Sequence, residues 1–268
     1  MNAVVFDIAL TAYIIAAVSA VGSLFGRREQ LLRFTLLMTQ LGWLCHTAAL
    51  VMRGVDLGRV PLLTLPEVVS AVIWAVVLAD LWIGRRFGMP VLSVFVLPVV
   101  LALGLALPSG LRALAFVPPV QSGWVVVHVT LVLIGLAGLI LNFVGALMYL
   151  LQERQLKSRR PGTVYYRLPP LETLDRLTLV SLTIGFPFLT VGLALGAVSA
   201  GKLHGSPLAL DPLTLVSIIM WLVYAATLSF RVVGHGRGRR AAYFAIAGFC
   251  ALLLTLGAGV LFQGRHGS

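Results

Sequence analysis

The chain has 268 residues, of which 59% are hydrophobic and only 11% charged, and its mean hydropathy is +1.01. A water-soluble domain carries roughly 25% charged residues, so the composition excludes a soluble globular protein and leaves no room for a separate soluble domain. The formal charge of +11 does not mark a nucleic-acid binder: the basic residues sit in short segments between apolar runs, where they set membrane orientation instead.

A helix crosses a bilayer with about 20 apolar residues, and lipid leaves the backbone no other way to pair its polar groups within one segment. Apolar runs predict helices at about 3–25, 31–52, 66–83, 89–107, 123–151, 177–200, 213–233 and 241–262. The first run has no basic residue before it and no small-residue cleavage site, which reads as a retained span and not a removed signal peptide. The fifth run is long enough to project beyond the bilayer, and Pro187 is expected to kink the sixth. Gly135, Gly138 and Gly145 read as helix-packing positions. Cys45 and Cys250 form no CxxC pair and read as buried structural thiols. The expectation is an all-α, polytopic integral membrane protein, residues 1–268 forming a single transmembrane bundle of about eight helices. No internal repeat or low-complexity segment is visible.

Lysine and arginine divide unevenly between the two ends of these helices. Fifteen fall on one side, among them Arg27, Arg28, Arg85, Arg86, Arg154, Arg159, Arg160, Arg231 and Arg237, and five (Arg53, Arg59, Arg112, Lys202 and Arg265) on the other. The positive-inside rule assigns the richer side to the cytoplasm. Both termini then face outward, and residues 152–176 form a basic cytoplasmic loop.

Ionisable groups within membrane spans are expensive and are functional candidates by default. Four of the five histidines gather toward the outer face: His46 in the second helix, His128 near the start of the fifth, His204 in the loop between the sixth and seventh, and His266 beyond the eighth. Only His235 lies on the cytoplasmic side. His128 and His266 stand on different helices at similar depth, as two axial ligands of a haem iron must; interfacial anchoring of helix ends accounts for the same placement. His46 fits either a ligand or a hydrogen bond to a neighbouring helix. Asp80 reads as a local ion-pair partner of Arg85 and Arg86, and Asp7 as interfacial. No nucleophile elbow and no HExxH zinc helix is present, so the residues give no ground for an enzyme. Intramembrane charge is sparse and no broken-helix repeats are visible, which disfavours a transporter.

Three stretches carry a resemblance. GWLCHTAALVMRGVDLGRVPLLTLPEVVSAVIW (42–74) resembles the second and third helices of the CcsA/HemX branch of the cytochrome c assembly family. It presents His46, Arg53, Gly58, Pro61, Glu67 and Trp74 in that family's order. QSGWVVVHV (121–129), with Trp124, resembles the segment holding the first external haem-ligating histidine, which makes His128 its counterpart. GAGVLFQGRH (257–266) resembles the segment holding the second, which makes His266 the counterpart. Between them the family carries a tryptophan-rich outer loop, WGxYWxWDP, where this chain has HGSPLALDP (204–212): Gly205, Asp211 and Pro212 are kept and the tryptophans are gone. Trp221 and Tyr224 fit the family's seventh helix, but Ser229 stands where a histidine is expected.

The resemblance, which spans about residue 40 to the end, implies a haem-handling protein of the bacterial inner membrane. It would hold or deliver non-covalent haem b on the outer face, with His128 and His266 on the iron. His46, His204, Asp211, Trp124 and Trp221 would contribute to the site, and 202–213 would be a degenerate haem-handling loop. Partners would be apocytochrome c and other cytochrome c assembly proteins, the chain serving at most as a component of a haem-lyase system. Loss of the tryptophan platform brings the pattern closer to HemX-like and YpjD-like proteins. That opens a second expectation: a membrane regulator or scaffold of a tetrapyrrole-synthesis enzyme, without stable haem.

Overall fold

The structure is a computed structural model describing residues 2–25, 29–105, 123–158, 162, 164–204, 212–234 and 236–263, the side chains at 2, 3, 25, 65, 199–204, 212, 213 and 258–263 aside. These residues form eight helices: α1 (Asn2–Phe25), α2 (Glu29–Leu57), α3 (Leu65–Arg86), α4 (Leu92–Leu105), α5 (Gly123–Lys157), α6 (Leu171–His204), α7 (Pro212–Val232) and α8 (Arg239–Gln263). All but α4 are long and apolar enough to cross a membrane, and the described part of α4 has 14 residues. The protein is a polytopic membrane protein. Large apolar side chains stand on the outside of the helices, such as Val18 and Leu254, each more than two-thirds exposed. That surface suits acyl chains and would be untenable in water.

The helix ends follow local rules. Thr64 caps α3 and forms a reciprocal capping box with Glu67, which satisfies two orphan backbone donors at once. Gly58 after α2 and Gly88 after α3 both adopt φ of 61°, and Gly238 before α8 adopts 75°, a region that favours glycine.

Hydropathy misplaces the start of α6, which begins at Leu171 and not at 177. The first turns carry Glu172, Asp175 and Arg176, so no apolar window includes them, yet Leu174 is fully buried and Asp175 is ion-paired. With α5 continuing to Lys157, segment 152–176 is helical at both ends. α6 also runs on through Pro187 as one helix to His204.

The chain divides into two compact units. In the first, α1 packs along α2: Tyr13 lies against Gly42, where a Cβ would meet the ring at 2.8 Å, and the Ser19 and Thr35 hydroxyls bond at 2.8 Å. α3 and α4 are joined by the Ser93 hydroxyl, which donates to Asp80 at 2.6 Å. Asp80 therefore does not pair with Arg85 or Arg86 as the sequence suggested. Residues five and six positions on lie off its helix face, whereas side chains meet at i+3 or i+4.

In the second unit α5 lies on α6 through small residues. A Cβ on Gly135 would meet the Leu189 backbone at 2.8 Å, and one on Gly138 would meet the Gly185 Cα at 2.9 Å. These glycines are the packing positions the sequence indicated. Ala146 packs with Ala242 and Ala245 of α8, and Phe143 stacks on Phe249. At the arginine-rich end Arg231, nearly buried, bonds the Asp175 carboxylate at 2.5 Å and the Asp175 carbonyl at 2.8 Å. Cys45 is half-buried and Cys250 exposed, so neither is the enclosed thiol expected. A bilayer-facing surface is itself apolar and does not force such side chains inward.

Because the groups facing Gly138 are backbone, they cannot swing aside. Gly138→Leu is expected to lower unfolding stability in detergent by about 1–3 kcal/mol, read from the denaturation midpoint. Gly257→Ala, whose Cβ would meet nothing within 4 Å, should leave it unchanged.

Candidate functional site

His128 lies in the second turn of α5, at the arginine-poor end of the second unit. Its Nδ1 is 2.5 Å from the carbonyl oxygen of Gly192 on α6. A carbonyl only accepts, so Nδ1 carries the proton and donates. In the neutral ring Nε2 then keeps its lone pair, the tautomer in which histidine ligates a metal. The ring rests against Gly196, one turn further along α6: a Cβ there would meet Cε1 at 2.6 Å and Nδ1 at 2.9 Å. Gly192 itself lies against Val132, where a Cβ would come to 2.8 Å. Two glycines four residues apart thus let the α6 backbone approach α5 and seat the imidazole in one orientation. Sequence reasoning missed both, although the GxxxG spacing at 192–196 was there to be found.

Trp124, one turn before His128, is largely exposed. Trp221 of α7 donates from Nε1 to the Thr190 hydroxyl at 3.0 Å and packs on Phe186 at 5.7 Å between ring centroids. It is fixed to α6 at residues two and six positions before Gly192, toward the arginine-rich end. His204 ends α6, its side chain not among those described, and Asp211 and His266 lie outside the described residues.

In the first unit His46 is wholly buried, with both ring nitrogens engaged. Nε2 is 2.8 Å from the Ser70 hydroxyl of α3, and Nδ1 is 3.4 Å from the Tyr13 hydroxyl of α1. Phe6 closes over the ring edge at 5.2 Å. The imidazole thus ties three helices together. Beside it, Trp74 donates to the Thr47 hydroxyl at 2.8 Å and stacks on Trp43 at 5.4 Å.

At the arginine-poor end of this unit Glu67 organises the turn between α2 and α3. Its carboxylate accepts from Arg59 through two bonds of 3.0 and 3.2 Å, and from the Leu63 and Thr64 amides at 3.1 and 3.2 Å. Arg53, which the sequence pattern singled out, reaches the same carboxylate only at 3.6 Å and from a half-exposed position. The buried partner is Arg59, which Gly58 turns back toward α3.

The sequence pattern of the cytochrome C assembly protein family matches residues 62–266. The chain belongs to this family. Among its relatives, the cytochrome c biogenesis protein CcsA of Parasynechococcus marenigrum (strain WH8102) is 31% identical over 257 residues, covering 86% of this chain and 84% of that protein. The CcsA of Prochlorococcus marinus (strain MIT 9303) is 32% identical over 261 residues, covering 86% of this chain and 82% of its own. The CcsA of Guillardia theta is 28% identical over 245 residues, with coverages of 83% and 81%. The resemblance read from the sequence is thereby established on its CcsA side, and these relatives lend no support to the HemX branch. His128, Trp221, Glu67 and Trp74 all fall inside the span that matches the cytochrome c assembly family; His46 precedes it.

Proposed function

We propose that the chain handles haem for cytochrome c assembly in a bacterial inner membrane, holding or presenting haem b non-covalently at its arginine-poor, outward end. The observation carrying this reading is His128: Nδ1 is tied to the Gly192 carbonyl and the Nδ1–Cε1–Nε2 edge of the ring rests against Gly196. A neutral imidazole held this way offers Nε2 to an iron, with its ring already oriented by the backbone. Its donor chemistry fits one axial position of haem. His266, carried over from the family pattern, is the proposed second ligand. Trp124, His204, Asp211 and Trp221 would line the site. His46, whose nitrogens both serve neighbouring helices, is proposed to hold the first unit together.

Haem would supply its vinyl groups, across which the thiols of a partner-presented, reduced apocytochrome c add to form thioethers. The chain's own part is to bind, orient and expose this cargo, in company with other assembly proteins.

The test is a reduced-minus-oxidised visible spectrum of the full chain, purified in detergent from haem-replete cells. A bis-histidine haem signal is expected. Its absence, in protein that is folded and monodisperse, would overturn the reading.

A further inference from the structure

The geometry points to a second, unrelated site in the first unit: a groove between α2 and α3 that binds an anionic phospholipid, its phosphate on Arg85 and Arg86 and an acyl chain along Leu44, Leu78 and Leu81. The groove is open along one side, has a volume of about 600 Å³ and is completed by Gln40, Trp43 and Trp82. That volume lies in the usual range for small-molecule sites, roughly 300–1,000 Å³.

Charge decides the class of ligand. Two adjacent arginines line the groove and no carboxylate does. The acid nearest to them along α3, Asp80, is turned to Ser93 of α4, and Glu29 of α2 is paired with Arg33. Among the described residues neither Arg85 nor Arg86 has an acidic partner. Arg86 lies over the Phe87 ring at 5.8 Å, and Phe87 meets Trp82 edge-on at 5.9 Å. Trp82 and Phe87 are both about 60% exposed. Arginines beside exposed aromatics at a helix end are the composition of a headgroup interface.

Depth agrees with this. Arg86 ends α3 and Leu78 lies two turns back, about 12 Å along the axis, so polar contacts sit at the helix end and apolar ones deeper. Trp43 stacks on Trp74 at 5.4 Å, so a pair of aromatic rings backs the inner wall. A flat iron porphyrin is also an anionic amphiphile, but no histidine, cysteine, methionine or tyrosine lines the groove to hold an iron. The chemistry matched is therefore a phosphodiester with acyl chains.

Native mass spectrometry of the full chain in detergent, titrated with phosphatidylglycerol or phosphatidylcholine, tests this. At least tenfold stronger retention of phosphatidylglycerol is expected. That preference should fall close to unity in R85Q/R86Q and survive largely in R85K/R86K, whose elution profile also reports folding. Phosphatidylglycerol with brominated acyl chains should quench tryptophan fluorescence, and less so in Trp82→Phe. Equal retention of the two lipids, or a preference that survives R85Q/R86Q, would overturn the proposal. Displacement of the lipid by millimolar inorganic phosphate would reduce the site to a headgroup-anion site and overturn the acyl half. Stoichiometric displacement by haem would reassign the groove to haem.

Discussion

Replacing His128 by glycine is expected to remove most of the haem absorption of the purified chain, a loss of at least about tenfold in retained haem, since even outer partners of a metal ligand are worth roughly ten- to a hundredfold in affinity. Added imidazole should restore the signal by filling the space beside Gly192 and Gly196, because the carbonyl that orients the native ring belongs to the backbone and survives the substitution. Rescue separates loss of a ligand from loss of folding. Gly196→Ala should act in the same direction without replacing the ligand: its methyl would stand 2.6 Å from the ring, so the imidazole must tilt or α5 and α6 must part. The expected signature is a weakened, shifted haem band with His128 still in place. A His128→Gly chain that kept its haem with unchanged band positions would refute the assignment.

Much of this arrangement was open to reading from the sequence, and what escaped did so for identifiable reasons. Hydropathy finds a span because lipid tolerates one kind of segment, so eight helices and their order followed from composition. It is blind where a helix leaves the apolar layer. The first turns of α6 carry Glu172, Asp175 and Arg176, and only tertiary structure reveals that Asp175 answers the nearly buried Arg231 of α7. Arg231 had counted simply as one of fifteen topological charges. Periodicity also went unused at Asp80, since two arginines five and six residues on cannot share its helix face.

The histidines make the same point about sites. Their placement on one side was legible, but nothing local distinguishes a ligand from a brace. The distinction lies in which nitrogens are already occupied. His46 has Ser70 and Tyr13 on its two nitrogens, whereas His128 has a backbone carbonyl on one. Those partners lie between 24 and 64 residues away along the chain, beyond the reach of any short motif. The stretch 42–74 was recognisable as a pattern for a structural reason, since Glu67, Gly58 and Trp74 all hold α2 to α3 through contacts their neighbours cannot supply.

Glu67 provides the strongest stability test of that clasp. Its carboxylate satisfies Arg59, of which only 7% of the side chain is exposed, together with the Leu63 and Thr64 amides. Glu67→Gln keeps a side-chain oxygen for the two amides but leaves the Arg59 guanidinium buried without a counter-charge. Removing one member of a buried pair is expected to destabilise by about 3–5 kcal/mol, measured by detergent unfolding and followed through the coupled loss of α2–α3 packing. Arg53→Gln is the informative contrast. Arg53 stands 3.6 Å from the same carboxylate with 45% of its side chain exposed, and a solvent-screened pair of that kind contributes about 1 kcal/mol or less. A large effect of Arg53→Gln with a small effect of Glu67→Gln would invert the assignment and show that the outer arginine, not the buried one, holds the turn. The expected order follows from burial: the carboxylate is most valuable to the cation that water cannot reach.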